Sequence, residues 1–447
     1  MHRCIFVLVS VLAFGIAAAD TTAFFNVNVI PMSDERIIRQ QTVIVSDGLI
    51  ERIGDVDEVP VPEGAGVIDG TDRFLVPGLA EMHAHVPPVA SAELDRDFAL
   101  FIANGVTTVR GMLGHPSHLQ LRSDLLAGKR AGPRLITSGP SLNGRSVSGP
   151  ADGADQVRQQ HSAGYDFIKI HPGLDDEEFT AIAETANELG MPFAGHVPVS
   201  VGLGGALASG MASIDHLDGY MAALMPRNYD ASGGYGGFFD VLLADDVDTD
   251  GTGDLAAATA RAGTWIVPTE TLVEQLINEV PASELCSRDE MQYVPEATIE
   301  RWVAAKRQQQ QERGYSPDVA AKAIALRRML IRELHDAGAG ILLGSDAPQV
   351  FNVPGFSLHR ELELMVAAGL TPFEALQAGT VSVAQFLGLN TGVIEVGREA
   401  DLVMLDSNPL EDIASTRRIH GVMVRGRWYS AADIEALLQR FRLGGRG

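Results

Sequence analysis

Hydrophobic and polar positions follow two different patterns along the chain. From Phe24 to Val67 the apolar runs are short and strand-like, at Phe24–Val27, Gln41–Val45 and Ile50–Ile53, with Asp47-Gly48 as a turn. The same pattern returns near the other end, in Ala400–Leu405 and His420–Val424, with Asn408-Pro409 between them. Each half alone is marginal in size, so the two ends are expected to build one small β-sandwich from residues 20–75 and 390–430. Across 76–389, strand-like apolar segments end near His83, Arg110, Thr137, Ile170, His196, His216, Thr269 and Asp346. Helical stretches such as Glu177–Leu189 and Asp318–Ala337 alternate with them. That alternation predicts a parallel sheet, and eight units close a (β/α)8 TIM barrel of about 250 residues plus loops. An open doubly wound sheet is the rival, but no glycine-rich nucleotide turn follows the first strand. Residues 431–447 read as a C-terminal helix and tail.

Chemistry enters where polar side chains close apolar strands. His83-Ala84-His85 ends the first strand, and residues two apart share a face, so both imidazoles point into the barrel and one metal ion can bind both. Lys169 shares a face with Phe167, opposite Ile168 and Ile170. A buried lysine needs a reason: either it pairs with a carboxylate, or its neutral amine takes up carbon dioxide as a carbamate whose two oxygens bridge two ions. His196 and His216 end the fifth and sixth strands, each a ligand or a hydrogen-bonded core histidine. Asp346 ends the eighth in Gly344-Ser345-Asp346, where an unpaired carboxylate is costly to bury. Each residue alone is ambiguous. Jointly, six candidate ligands fall on the face where barrel enzymes keep their chemistry. Imidazole and carboxylate donors favour zinc, with manganese, cobalt or iron as alternatives.

Composition narrows the setting. The 447-residue chain has 34 Lys and Arg against 58 Asp and Glu, a net charge of −24, which argues against nucleic acid or an anionic membrane as partner. Met1-His2-Arg3, the apolar run Ile5–Ile16 and Ala17-Ala18-Ala19 before Asp20 read as a cleavable signal over residues 1–19, hence a secreted or periplasmic protein. The run is shorter than the roughly twenty residues of a membrane span, so no stable membrane anchor is expected. Cys4 leaves with that leader and only Cys286 remains, so stability has to come from a large core. The aspartate- and glycine-rich insertion Asn228–Asp254 is either an acidic lip over the site or a solvated loop.

On these residues the sequence resembles the metal-dependent amidohydrolase superfamily, particularly imidazolonepropionase-like hydrolases and secreted Xaa-Pro and Xaa-Arg/Lys dipeptidases. The likeness covers nearly the whole mature chain and rests on Val76–His85, Gly105–Arg110, Phe167–Ile170, Gly195-His196, Ile214–His216, Gly344–Asp346 and Gly392–Val403. It implies two divalent ions, expected to be zinc. His83 and His85 would hold one with Asp346, His196 and His216 the other, and N6-carboxylated Lys169 would bridge them. It further implies that a hydroxide shared by the ions attacks an amide or peptide-like carbonyl of a dipeptide, N-acyl amino acid or cyclic amide, with Asp346 carrying the proton.

The chain departs from those peptidases after the third strand. There Ser138–Arg145 contains no counterpart of their Gly-Gly-His signature, and Arg145 is either a grip for a substrate carboxylate or an exposed loop residue. His171, Tyr220 and His359 are candidate substrate contacts by proximity to strand ends, with His115 and His118 ranked lower. The competing functions are a lactone or ester hydrolase, a mononuclear deaminase on the same fold, and a non-catalytic exported binding protein. Lys169 favours two ions over one, and six retained ligand candidates favour catalysis over capture. The expected partner is a small-molecule or dipeptide substrate, and a homo-oligomer is compatible with all of this.

Overall fold

The computed structural model of the protein describes residues 21–226 and 238–443; the expected leader and the first part of the acidic insertion lie outside them. Among the described residues no helix is long and apolar enough to cross a membrane.

Both chain ends meet in one mixed sheet. Strands β1 (Thr21–Val29), β2 (Ile38–Ser46), β3 (Leu49–Asp55), β4 (Gly66–Asp69) and β5 (Phe74–Pro77) come from the N-terminal side. As expected, Asp47-Gly48 turns β2 into β3, with both residues at positive φ (51° and 76°), the geometry that suits the twist of a two-residue hairpin.

The middle of the chain is parallel. Strands β6 (Leu79–Ala84), β7 (Val106–Gly111) and β8 (Arg134–Thr137) form one ladder, and β9 (Ile168–Ile170), β10 (Phe193–Gly195), β11 (Ser213–Asp215) and β12 (Trp265–Val267) form another. Parallel bridges Ser138–Phe167 and Leu142–Ile170 join β8 to β9. The segment expected as the eighth strand is less regular: Ile341 bridges Ile266 of β12, while the Leu343 carbonyl accepts from Met82 and Ala347 bridges Ala84 of β6. Each of the eight parallel segments therefore has a parallel neighbour on both sides. Helices such as 94–103, 150–163, 176–189 and 317–336 alternate with them and bury their apolar faces, as Phe98, Val157, Phe179 and Leu330 do.

The chain then returns to the first sheet through β13 (Leu402–Leu405), β14 (Ile419–Val424) and β15 (Arg427–Ser430). The expected sandwich takes the form of a single eight-stranded sheet in the order β15-β14-β13-β5-β1-β2-β3, with β4 on β1. The reason is that β5 pairs antiparallel with β13 from Leu402–Pro77 to Leu405–Phe74, so the two halves join edge to edge by hydrogen bonds. Phe24, Val43, Leu75, Leu402, Met404 and Met423 make its own apolar core. A capping box at Ser430 and Asp433 then starts the C-terminal helix Ala431–Phe441.

Gly195 marks how tightly β9 and β10 are fitted. Its φ is +131°, and a Cβ there would lie 2.3 Å from the Ile170 carbonyl oxygen and 2.9 Å from Lys169 Cδ. Replacing Gly195→Ala is expected to cost about 2–4 kcal/mol through backbone strain and overpacking. Urea unfolding checks this, and a loss below about 0.5 kcal/mol, the range of neutral surface changes, would show that the strands can part.

Candidate metal centre

Strand alternation brings a set of polar side chains together at the carboxyl ends of the parallel segments. His83 and His85, on either side of Ala84, place their ring centroids 5.7 Å apart. The His83 ring also lies 4.6 Å from that of His216, which in turn lies 4.8 Å from that of His196. Asp346 approaches from the eighth segment, with Oδ1 3.1 Å from His85 Nε2 and 3.7 Å from His83 Nε2. Two overlapping triads that share His83 are candidates to hold an ion: His83, His85 and Asp346, or His83, Asp215 and His216, whose ligand atoms in each case lie within 4.8 Å of one another. The first is the set expected from the resemblance. In the second, Asp215 stands beside His83 and His216, while His196 lies one ring further out with Nδ1 2.6 Å from Asp218 Oδ2.

Lys169 is fully buried, and Nζ donates to Asp215 Oδ2 at 2.9 Å. Of the two reasons for a lysine in this strand, the structure contains the carboxylate partner. Asp215 Oδ1 faces Arg110 Nη2 at 3.3 Å, and the guanidinium continues through Nε to the Met82 carbonyl (2.7 Å) and Nη1 to Ser213 Oγ (3.0 Å). Burial alone would raise the Asp215 pKa, but Lys169, His83 and Arg110 overrule it and hold the carboxyl well below the usual range.

The donors themselves are poised for a cation. Burial holds His83 and His216 well below the ordinary imidazole value and His85 at about 4, so their nitrogens keep free lone pairs. Burial pushes Asp346 up to about 8, against the opposing pull of the Lys169 cation and with the Glu81 and Asp215 carboxyls adding to the rise. His83 Nδ1 lies 3.3 Å from Asp215 Oδ2 and Asp346 Oδ1 3.1 Å from His85 Nε2, but neither contact has the alignment of a hydrogen bond, so both buried atoms keep bonding capacity for another partner. A divalent ion with nitrogen and oxygen ligands fits this donor set.

A second tier holds the donors in place. The Glu81 carboxylate accepts from the backbone N–H of His83 (2.9 Å), the N–H of Ser345 (2.8 Å) and Ser345 Oγ (2.5 Å), which ties β6 to the Asp346 turn. Gly344 permits that approach, because a Cβ there would meet Val267 Cγ1 at 2.6 Å and the His83 nitrogen at 2.9 Å. Glu81, Arg110, Asp215 and Asp218 were not singled out as functional from the sequence. Alternation was the available signal, since Glu81 shares a face with His83, and Asp215 shares one with Ser213.

The remaining candidates separate. His171 stacks on His196 with centroids 5.1 Å apart and, with Arg145, lines an open recess of about 490 Å³. Arg145 is exposed. Tyr220 is a correction: it is fully buried, and its hydroxyl is engaged by Thr259 Oγ1 at 2.7 Å on helix 252–262. His359 is another, because its Nδ1 meets Thr416 Oγ1 at 3.0 Å in a buried packing position. His118 is bonded to the Pro87 carbonyl and His115 to Ser117. From the acidic insertion, Phe239 lays its ring over His216 at 4.4 Å.

The family model for the amidohydrolase family matches residues 74–429. Imidazolonepropionase of Deinococcus deserti is 42% identical over 105 residues, covering 23% of this chain and 26% of that enzyme, so the match spans about a quarter of that relative. Enamidase of Eubacterium barkeri is 23% identical over 381 residues, 85% of this chain and 84% of its own. Among solved structures, a bottromycin amidohydrolase superposes with a TM-score of 0.72 at 25% identity over 96% of this chain and 94% of its own. A structure described as a putative prolidase from Bifidobacterium longum gives 0.67 at 25% identity over 95% and 99%.

Because Asp215 balances two buried cations, Asp215→Asn is expected to destabilise the protein by about 3–5 kcal/mol in denaturant unfolding, the usual cost of stranding a buried charge. A loss under 1 kcal/mol would mean that Lys169 and Arg110 find compensation elsewhere.

Proposed function

We propose, on the premise that this chain belongs to the amidohydrolase family, that it hydrolyses an amide or peptide-like C–N bond of a small molecule using two divalent metal ions. The observation that carries this reading is the buried cluster of His83, His85, Asp215, His216 and Asp346, whose overlapping triads offer nitrogen and oxygen ligands to divalent ions, with His196 beside His216. Relatives named enamidase and imidazolonepropionase support an amide-type bond in the substrate. The parallel neighbours on both sides of all eight central segments support a closed (β/α)8 barrel with the triads at its mouth.

His83, His85 and Asp346 would hold one ion, and His216 with His196 or Asp215 the other, zinc suiting the donors best. Ions there would supply Lewis-acid polarisation of the scissile carbonyl and a more acidic water. Asp346 is the carboxylate that receives the water proton and returns it to the leaving nitrogen. The recess beside His171 and Arg145 offers room for the rest of the substrate, with the Arg145 guanidinium suited to a carboxylate.

Carboxylation of Lys169 completes this reading. The amine attacks carbon dioxide and loses a proton, giving a carbamate that would otherwise add negative charge beside Asp215. That change is electrostatically acceptable only with cations beside it, so carboxylation and metal loading should come together. Residues 1–19 are proposed to direct export and to be removed before Asp20, giving a secreted or periplasmic enzyme.

Three outcomes test these points. Asp346→Asn is expected to retain its fold while turnover of responsive dipeptides, N-acyl amino acids or cyclic amides falls by about 10²–10⁴-fold, and near-normal turnover would remove Asp346 from the proton path. With ¹³C-bicarbonate, one carbamate carbon resonance should appear in zinc-loaded protein and be missing both from metal-free protein and from Lys169→Arg; a zinc-loaded sample without it contradicts the bridge. N-terminal sequencing of exported protein should begin at Asp20, and an intact Met1 would contradict cleavage.

A further inference from the structure

His216 and Thr269 are both non-glycine residues in the left-handed region, with φ of 64° and 52°. For a β-branched threonine this is an outlier that persists only when its surroundings enforce it. Several interactions do so. Arg327, buried on helix 317–336, donates through Nη1 to the His216 carbonyl (2.7 Å) and through Nη2 to the Pro268 carbonyl (3.0 Å), just before Thr269. Its Nε donates to Glu270 Oε1 at 2.8 Å. On the other side, the N–H groups of Glu270 and Thr271 donate to the buried Glu361 carboxylate at 2.9 and 2.7 Å. The two strained turns are thus anchored to each other by one guanidinium. What the strain achieves is a side-chain contact: Thr269 Oγ1 lies 2.7 Å from His216 Nδ1.

We propose that Thr269, held by Arg327, is a positioning residue that orients His216 as a metal ligand. The His216 ring is packed against Phe239, His83 and His196, with centroids 4.4, 4.6 and 4.8 Å away, so packing limits its tilt but does not distinguish its two nitrogens. The hydroxyl does. It engages Nδ1, although that nitrogen also lies 3.9 Å from Asp346 Oδ2, and with the hydroxyl accepting from Nδ1–H the lone pair stays on Nε2 for a cation, the role of an outer partner that sets the direction of a ligating imidazole. Arg327 acts one step further out, since without it neither the His216 carbonyl nor the Thr269 backbone is tied to the helix behind.

This inference rests on the metal-centre reading, and the two can fail separately. Metal-free wild type, Thr269→Val and Thr269→Ser are titrated with Zn2+ against a chromophoric chelator, and the melting temperature of each metal-free form is measured. In Thr269→Val one of two zinc ions is expected to bind about 10–100-fold more weakly, while the other and the metal-free melting temperature stay near wild type. Thr269→Ser, which keeps the hydroxyl, should return to within about threefold of wild type. Unchanged affinity in Thr269→Val, or a Thr269→Ser that binds as poorly as valine, overturns the inference. A wild type that takes up no zinc overturns the metal-centre reading itself. Arg327→Met should weaken the same ion and, combined with Thr269→Val, add little to it; fully additive losses would separate Arg327 from this role. If Arg327→Met does not fold, the valine and serine variants still decide.

Discussion

The compensation of charge inside a buried polar cluster is the constraint on which this structure turns. Asp215 sits between the Lys169 ammonium at 2.9 Å and the Arg110 guanidinium at 3.3 Å, all three buried among the parallel strands. Isolated, any of them would cost several kcal/mol to desolvate. Held together, they fix the spacing of β7, β9 and β11 from within, because Arg110 also reaches the Met82 carbonyl and Ser213. The cluster is balanced on its Asp215 side and unbalanced on its Asp346 side, where a carboxyl pushed up to about 8 faces neutral imidazoles. That asymmetry supports the proposal that the mouth of the strands takes up added cations.

Around this cluster the backbone departs from regular geometry at the residues that carry donors. His216 and Asp346 both lie at positive φ, as does Thr269 beside His216. Each is held by buried charged groups one layer out: Glu81 grips the segment before Asp346, and Arg327 grips His216. Strain of about 1–3 kcal/mol per residue is sustainable there because the large apolar core and the alternating helices over-determine the strand ends. The sheet formed by both chain ends has an apolar core of its own on one face, joins the main core through Val76, Val403, Leu405, Val422 and Val424 on the other, and closes the chain on itself through the pairing of β5 with β13.

Much of the molecule could be read from alternation. The period-two pattern put His83, His85 and Lys169 on inward faces, and polar residues closing apolar runs located His196, His216 and Asp346. The helical stretches read at Glu177–Leu189 and Asp318–Ala337 fall on helices 176–189 and 317–336, whose first turns Asp175 and Ser316 cap. What escaped depends on the third dimension. Whether Lys169 meets a carboxylate is decided by Asp215, 46 positions later, and Arg110 reaches it from 105 positions away. Tyr220 and His359 follow strand ends in sequence, yet contacts made 39 and 57 positions away turn them onto Thr259 and Thr416. The eighth segment read as a strand, but its backbone is irregular from Leu342 to Asp346, where Asp346 takes a positive φ, and this interrupts the ladder. Edge-to-edge joining of the terminal sheet was equally out of reach, since strand patterns specify faces and not edges.

The central claim is that this cluster is a two-metal centre. Anomalous diffraction from crystals of the zinc-reconstituted protein, recorded on either side of the zinc absorption edge, tests it most directly. Two peaks are predicted, one bounded by His83, His85 and Asp346 and one beside His216. A single peak, or none within bonding distance of His83, would contradict it.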